Sequence, residues 1–379
     1  MKSRGTSIAF VINSLTDGGA ERALIQLIEC MREQLAGFRT HLVLLDREEE
    51  RHPVPTWVEK HVLDARHSVV TSTIRLFRIM RKLRPAVALS FLNRANCATV
   101  IAAQALGQRC IISERVHTTS HFNSGPVAGL NKAMVRLTYG LADKVIAVSQ
   151  GVRNDLVENY GIARRKVQVI HNPIDPAQIR RRASERPAVQ LPDRYILGIG
   201  RLTPNKNFPL LVHAYLASGI SDKLVIMGDG EERAALQDLT SKLGLGDRVL
   251  LIGYVANPYP ILKSARVFVS SSNAEGFPNA LVEALALGCP VVATDCDAGP
   301  MEILAERTTP RCSEMILGTY GILVPPNSVA YLASAIRKAC SEGIRAEYSR
   351  RGPERAKDFD VANSVAQYWS AIHSLAQTG

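Results

Sequence analysis

The sequence predicts an α/β fold of two doubly wound, Rossmann-like domains. Its 379 residues suffice for two domains at roughly 100–200 residues each. Short apolar runs rich in β-branched residues alternate with helical patterns along the chain, as parallel sheets covered by helices require. That alternation also restarts after an interval rich in arginine and proline.

In the first half the candidate strands are 8–12, 41–45, 86–91, 110–112, 145–148 and 167–170. Leu24, Leu27, Ile28, Met31 and Leu35 recur at three-to-four spacing between the first two and predict a helix. The second half offers 195–199, 224–227, 249–252, 267–269, 290–293 and 321–324. Between the halves, Asn172-Pro-Ile-Asp-Pro-Ala and then Arg180 to Pro192 suit neither sheet and read as a linker. Residues 330–377 are helical in pattern. The expected division is a first domain at 1–172, a linker at 173–192, a second domain at 193–357 and a C-terminal helix at 358–379 that crosses back to the first domain.

The longest charge-free stretch, Met315 to Ile336, is interrupted by Gly318, Gly321, Pro325 and Pro326, so it reads as strand, turn and helix rather than a membrane span. The apolar run at Ser7–Asn13 is too short for a secretory signal and reads as a core strand, with a cytoplasmic protein as the expectation. Seven widely spaced cysteines without a Cys-x-x-Cys pair fit a reducing compartment and argue against a disulfide framework. Residues 1–192 hold 28 Lys and Arg against 16 Asp and Glu, net +12, whereas 193–379 hold 18 against 19, net −1. The basic half suggests phosphates, an anionic membrane or nucleic acid as a partner, the alternative being a merely solvated basic face.

Four segments carry candidate chemistry. Asp17-Gly18-Gly19-Ala20-Glu21-Arg22 follows the first strand and opens a helix, a place where bare backbone and a helix N-terminus receive anions, although a plain tight turn looks the same. Neither a G-x-G-x-x-G fingerprint nor a P-loop is present. Gly200-Arg201 and Lys206 lie past a strand's carboxyl end, where open α/β sheets bind ligands, and two cations there either neutralise a diphosphate or are ordinary surface charges. In Ser270–Thr294, Glu275 precedes a helix and Glu283 lies inside its apolar pattern. The two carboxylates either bracket a ligand at the helix start or serve the helix dipole and solvent. Ser113-Glu114-Arg115-Val116-His117 follows the strand at 110–112.

The Glu275-to-Glu283 spacing resembles the Glu-x7-Glu motif of retaining glycosyltransferases of family 4, which have the two-domain GT-B fold. Gly18-Gly19-Ala20-Glu21-Arg22, Gly200-Arg201 with Lys206, and Met227-Gly-Asp-Gly230 are similar to that family's motifs, in its order, and the resemblance covers nearly the whole chain. It implies two domains facing across a cleft and transfer of a sugar from a nucleotide donor, UDP-sugar above all, with retention at the anomeric carbon. It implies that Arg201 and Lys206 neutralise the donor diphosphate, Gly18 and Gly19 approach it by backbone, and Glu283 bonds the ribose. Glu275 would sit by the sugar hydroxyls, the backbone amides of Phe277, Pro278, Asn279, Ala280 and Leu281 would hold sugar and phosphate, and Val255 would lie along the base. His117 would face the reacting centre. No cofactor and no metal are implied, since fixed cations and a helix dipole stabilise the leaving group.

Asp295-Cys-Asp297 has the spelling of a metal motif but is read as a cap for the helix after Gly299-Pro300. His117 and His121 are spaced like a zinc pair, yet no third ligand follows at suitable spacing. The segment 74–84 interleaves Arg75, Arg78, Arg81, Lys82 and Arg84 with apolar residues. It is read as a helix packed on the sheet, with membrane contact at its end as the alternative. Nucleic-acid binding is set aside, because aromatic–basic interleaving and recognition-helix patterns are missing. A dehydrogenase lacks its fingerprint, and a GT-B sugar-nucleotide epimerase would need no acceptor. The expected acceptor is a lipid-linked or other saccharide in bacterial surface glycan synthesis, met by a cytoplasmic enzyme held peripherally at the inner membrane face.

Overall fold

The computed structural model describes residues 5–16, 18–121, 128–307 and 311–377. The chain begins with β1 (Ser7–Ile12), α1 (Gly19–Cys30), α2 (Arg32–Leu35), β2 (Arg39–Leu44), β3 (Glu59–Val62), α3 (Val69–Leu83), β4 (Val87–Phe91), α4 (Asn93–Leu106) and β5 (Arg109–Glu114). It continues with α5 (Thr118–His121), α6 (Ala128–Tyr139), β6 (Lys144–Ala147), α7 (Gln150–Glu158), β7 (Val167–Val169), α8 (Pro176–Arg182), β8 (Tyr195–Ile199), α9 (Phe208–Ser218), β9 (Lys223–Met227), α10 (Arg233–Lys242) and β10 (Val249–Gly253). The remainder is α11 (Tyr259–Ser264), β11 (Val267–Ser270), α12 (Asn279–Ala286), β12 (Val291–Thr294), α13 (Pro300–Ala305), β13 (Ile316–Leu317), β14 (Ile322–Val324), α14 (Val329–Ala339), α15 (Glu342–Ala356) and α16 (Val361–Ala376).

The chain divides into two compact units, Met1–Pro173 with Val361–Gly379, and Ile174–Asp360. The first holds a parallel sheet of order β3-β2-β1-β4-β5-β6-β7. The buried strand β1 is apolar on both faces because helices cover both. The C-terminal α16 belongs to this unit: Val365, Tyr368 and Ile372, spaced three and four apart, bury against the cluster of Ile8, Phe10, Leu24 and Phe91. The rings of Tyr368 and Phe91 stack at 6.1 Å. By this boundary the first unit carries 24 Lys and Arg against 14 Asp and Glu, net +10, so the charge asymmetry survives.

The second unit has the order β10-β9-β8-β11-β12-β14-β13, parallel except for β13, which pairs antiparallel with β14. Its core joins Leu211 and Tyr215 of α9 to Ile226 and to Leu332 and Ile336 of α14. No helix among the described residues is long and apolar enough to cross a membrane.

Several expectations are corrected. The stretch 173–192 contains α8, a helix started by Pro176 and capped by Asp175, whose Oδ1 accepts from Gln178 N at 2.8 Å. Charge-free 315–336 holds two strands, β13 and β14, before its helix. β3 was not expected, because Glu59-Lys60-His61-Val62 has no apolar run; it is an edge strand fixed by its register with β2. Asp295 and Asp297 do not cap α13, whose cap is Gly299 with no side-chain bond. Asp295 instead accepts from Cys312 N at 2.7 Å, and Asp297 pairs with Arg311.

Candidate active site

In the second sheet β8 lies between β9 and β11, so the crossovers leave it in opposite directions and open a crevice at its carboxyl end. The loops after β8, β9 and β10 interlock there. Gly228 has φ +138°, and a Cβ on it would lie 1.9 Å from the Gly200 carbonyl oxygen. Gly228 N donates to Gly253 O at 2.9 Å, and Leu202 N to Asp229 O at 2.9 Å. These contacts give Gly228 and Gly230 a structural reason to be glycine: a Cβ on Gly228 would strike the Gly200 carbonyl and one on Gly230 would lie 2.5 Å from Leu202 O, so side chains there would force the loops apart. Val255, two residues past Gly253, is buried. Arg201 is exposed on the same edge.

Lys206 ends a short 3-10 turn at Pro204–Lys206 that leads into α9. Its Nζ lies 2.5 Å from Glu275 Oε1, and Ser272 Oγ donates to the same oxygen at 2.7 Å. The lysine side chain is 24% exposed and the carboxylate 9%. Ser271 Oγ donates to Lys206 O at 2.9 Å and Thr294 Oγ1 to Ser272 O at 2.6 Å, so the segment between β11 and α12 is pinned on both sides. Two residues 69 apart in sequence thus form a rigid ion pair with one exposed end. The pair offers a ligand a cation and a carboxylate acceptor within one side-chain length.

The start of α12 supplies fewer amides than expected. Pro278 has no N–H, and Leu281 N already donates to Pro278 O at 3.0 Å, so neither of these two offers an amide to a ligand. Gly299, at φ +97°, lets Pro278 pack against it, since a Cβ there would lie 2.5 Å from Pro278 Cδ. Phe277 is buried edge-on to Phe359 at 5.4 Å. Glu283 is 3% exposed, which removes the reading of a solvated carboxylate.

In the first unit Gly18 is the extended N-cap of α1, with φ −149°. A Cβ on Gly18 would lie 2.1 Å from Glu21 Oε2, so this glycine makes room for the carboxylate of its own helix, and Gly19 opens that helix. Asp17 lies outside the described residues, as does the side chain of His121. His117 is half-enclosed between Ser120 Oγ, 2.8 Å from Nδ1, and Asp155 Oδ1, 3.8 Å from Nε2. Asp155 is itself held by Thr119 N at 3.0 Å and Asn159 Nδ2 at 2.8 Å.

Beside it lies a buried network that sequence reading passed over. Tyr139 Oη donates to Glu114 Oε2 at 2.5 Å, and Arg115 N to Oε1 at 3.0 Å. Burial pushes the Glu114 carboxyl up to about 7, although the bonds from Tyr139 and the amides oppose it. Arg115 Nη1 donates to Tyr368 Oη at 3.0 Å, and its guanidinium lies 4.3 Å over the Phe91 ring. The available signal was a Glu-Arg pair directly continuing an apolar strand, where both charges end up inside.

Residues 17–178 match the family model described as Glycosyltransferase Family 4, and residues 180–358 match that for Glycosyl transferases group 1. Between them the two models span nearly the whole chain. The chain belongs to these glycosyltransferases. This glycosyltransferase is 28% identical over 95% of its length to the Campylobacter jejuni N-acetylgalactosamine-N,N'-diacetylbacillosaminyl-diphospho-undecaprenol 4-alpha-N-acetylgalactosaminyltransferase, covering 98% of that protein. A second C. jejuni enzyme, an alpha-1,4-N-acetyl-D-galactosaminyltransferase acting on GalNAc-alpha-(1->4)-GalNAc-alpha-(1->3)-diNAcBac-PP-undecaprenol, is 25% identical, with 96% of each chain covered. The crystal structure of Anabaena HepE in complex with UDP superposes with a TM-score of 0.73 at 20% identity, over 97% of this chain and 100% of that one. These likenesses establish the enzyme class and the GT-B fold.

Proposed function

We propose that this glycosyltransferase moves a hexosyl or N-acetylhexosaminyl group from a UDP-sugar to a lipid-linked saccharide, with retention at the anomeric carbon, in the assembly of a bacterial surface glycan. The observation that carries the donor side is the Lys206–Glu275 pair, set among interlocked glycine loops at the carboxyl edge of β8 and β11. Arg201 and Lys206 oppose the charge that grows on the departing diphosphate, and the start of α12 adds its partial positive end. Glu275 accepts from a donor-sugar hydroxyl, Glu283 bonds the ribose, and Val255 lies along the base. The HepE structures with UDP and with UDP-glucose support a uridine donor.

The two Campylobacter relatives, each named for a diphospho-undecaprenol-linked substrate, support a lipid-linked acceptor. The first unit's net charge of +10 suits a lipid diphosphate or an anionic bilayer. Its surface adds apolar side chains for shallow insertion: Val70 and Ile74 on α3, and Leu130 and Leu137 on α6, are exposed. The attachment is therefore peripheral and weakened by salt.

The test is a donor screen that reads free UDP or GDP, run with and without membrane-lipid extract. The expected result is UDP release that requires the extract, with an α-linked product from an α-linked donor by NMR. Equal UDP release without any acceptor points to a hydrolysing epimerase and overturns the transferase reading. Flotation of the intact chain with anionic liposomes tests the membrane reading separately, and no binding at low salt removes it.

A further inference from the structure

Away from the strand ends that carry the family motifs, two histidines and a glutamate converge on the edge of the first sheet. His41 pairs with Ala9 in β1, three residues before that strand ends. The parallel register of β2 and β3 sets His41 opposite Glu59 and Val43 opposite His61. Because side chains two apart on a strand share a face, all three project together. His41 Nδ1 lies 3.2 Å from His61 Nε2 and 3.3 Å from Glu59 Oε2, and His61 Nε2 lies 3.5 Å from Glu59 Oε1. Among the described residues this is the one group of three ligating side chains whose donor atoms lie this close.

The His41–His61 contact at 3.2 Å is short enough to be a hydrogen bond, and the two contacts with Glu59, through Oε2 and Oε1, are the ones that favour a shared ion. N–H···O hydrogen bonds centre near roughly 2.9–3.0 Å, shorter than either histidine–carboxylate distance. A tetrahedral ion with ligands at about 2.0–2.1 Å holds their donor atoms about 3.3–3.4 Å apart, the middle of the observed set.

We propose that His41, His61 and Glu59 form a binding site for a divalent transition ion of the zinc class, with solvent as the fourth ligand, which ties the edge strand β3 to β2. Two neutral imidazoles and one carboxylate are a donor set such ions favour. His41 is 1% exposed, His61 18% and Glu59 54%, so one ligand is rooted in the sheet while the opposite side admits solvent and ion. Two cations face the group: Arg39, 3.8 Å from Glu59 Oε2, and Lys82, on the His61 side. Both are exposed and free to swing into water when the ion enters. The role is structural. β3 has no apolar run to bury, and a metal clip supplies the cohesion its side chains lack.

The test needs no turnover and stands apart from the proposed transfer reaction. The full-length, tag-free protein is stripped of metal and titrated with Co²⁺, then Zn²⁺. One equivalent of Co²⁺ is expected, with the intense visible absorption of a four-coordinate ion, displaced by Zn²⁺. His61→Ala and Glu59→Gln are each expected to weaken binding at least tenfold and to abolish the metal-induced rise in thermal midpoint. Glu59→Gln alters an exposed side chain and keeps the test open if His61→Ala fails to fold. No metal uptake by the wild type, or wild-type affinity in either folded variant, overturns the proposal.

Discussion

The carboxyl edges of the two sheets solve the same problem in opposite ways. In the second unit the polar groups stay partly open: Lys206 and Glu275 pair with each other, yet the lysine keeps 24% of its side chain in solvent. In the first unit the comparable edge is closed, with Glu114, Arg115, Tyr139 and Tyr368 bonded to one another inside the fold. An open pair is available to a ligand, whereas a closed network sets the position of the loop that carries His117. The donor side therefore keeps recognisable side chains at fixed spacings, and the other side hides its determinants in three dimensions.

The largest expected effect attacks the open pair. Lys206→Ala removes the cation nearest Glu275 and leaves a nearly buried carboxylate without its partner. Turnover should fall about a hundredfold or more, the usual loss for one preorganised group facing transition-state charge. Arg201→Ala, at an exposed site, should cost about tenfold by the same argument. Steady-state kinetics on variants with unchanged circular dichroism decide this, and near-normal turnover in Lys206→Ala would end the proposed role.

A second substitution compares glycines rather than charges. Gly228→Ala would drive a Cβ to 1.9 Å from the Gly200 carbonyl at φ +138°, so the loops must part. We expect a stability loss of about 2–4 kcal/mol together with lost UDP binding. Gly107, at φ +65° in the first unit, has open space where a Cβ would go, with nothing within 4 Å. Gly107→Ala should therefore cost only about 1 kcal/mol, the strain of the left-handed backbone alone. Urea midpoints for the two variants check the contrast, and equal losses would mean that loop interlock contributes nothing.

The difference between the edges also explains what was legible in the sequence. Buried parallel strands such as Ile8–Ile12 and Leu224–Met227 announce themselves through continuous apolar runs, and the glycine-rich and Glu-x7-Glu motifs each follow the carboxyl end of such a strand. β3 was invisible because its four residues are polar or half-exposed and only the register with β2 makes them a strand. The pairing of Lys206 with Glu275 joins residues on different loops, so no local spacing could reveal it. The same holds for His41 and His61, whose proximity depends on two adjacent strands.

The closed network makes a prediction of its own. Burial raises the Glu114 carboxyl from the ordinary glutamate range to about 7 in the folded protein, so its contribution to stability is full below about pH 4.5 and is lost as pH rises through 7. Glu114→Gln keeps an acceptor for the Arg115 amide but cannot ionise. The decline between about pH 5 and 8 should flatten by roughly 1–3 kcal/mol relative to the wild type. Chemical denaturation across that range checks the sign. A variant that loses stability equally at pH 5 and pH 8 would show that Glu114 is held as a carboxylate throughout.

The smallest expected effect is none at all, and it separates the two edges most sharply. In the proposed reaction the charge on the leaving diphosphate is met by Arg201, Lys206 and the start of α12, none of which needs a bound ion. Excess chelator should therefore leave initial turnover within about twofold. Any ion held by His41, His61 and Glu59 lies on the first sheet's edge, at the level of Ala9 rather than past the strand ends, so stripping it should lower the thermal midpoint without changing the initial rate. Turnover and melting measured on the same chelated sample distinguish the cases. Loss of turnover that Mg²⁺ restores, at an unchanged melting temperature, would place a metal in the donor chemistry and transfer to it the role assigned to Lys206.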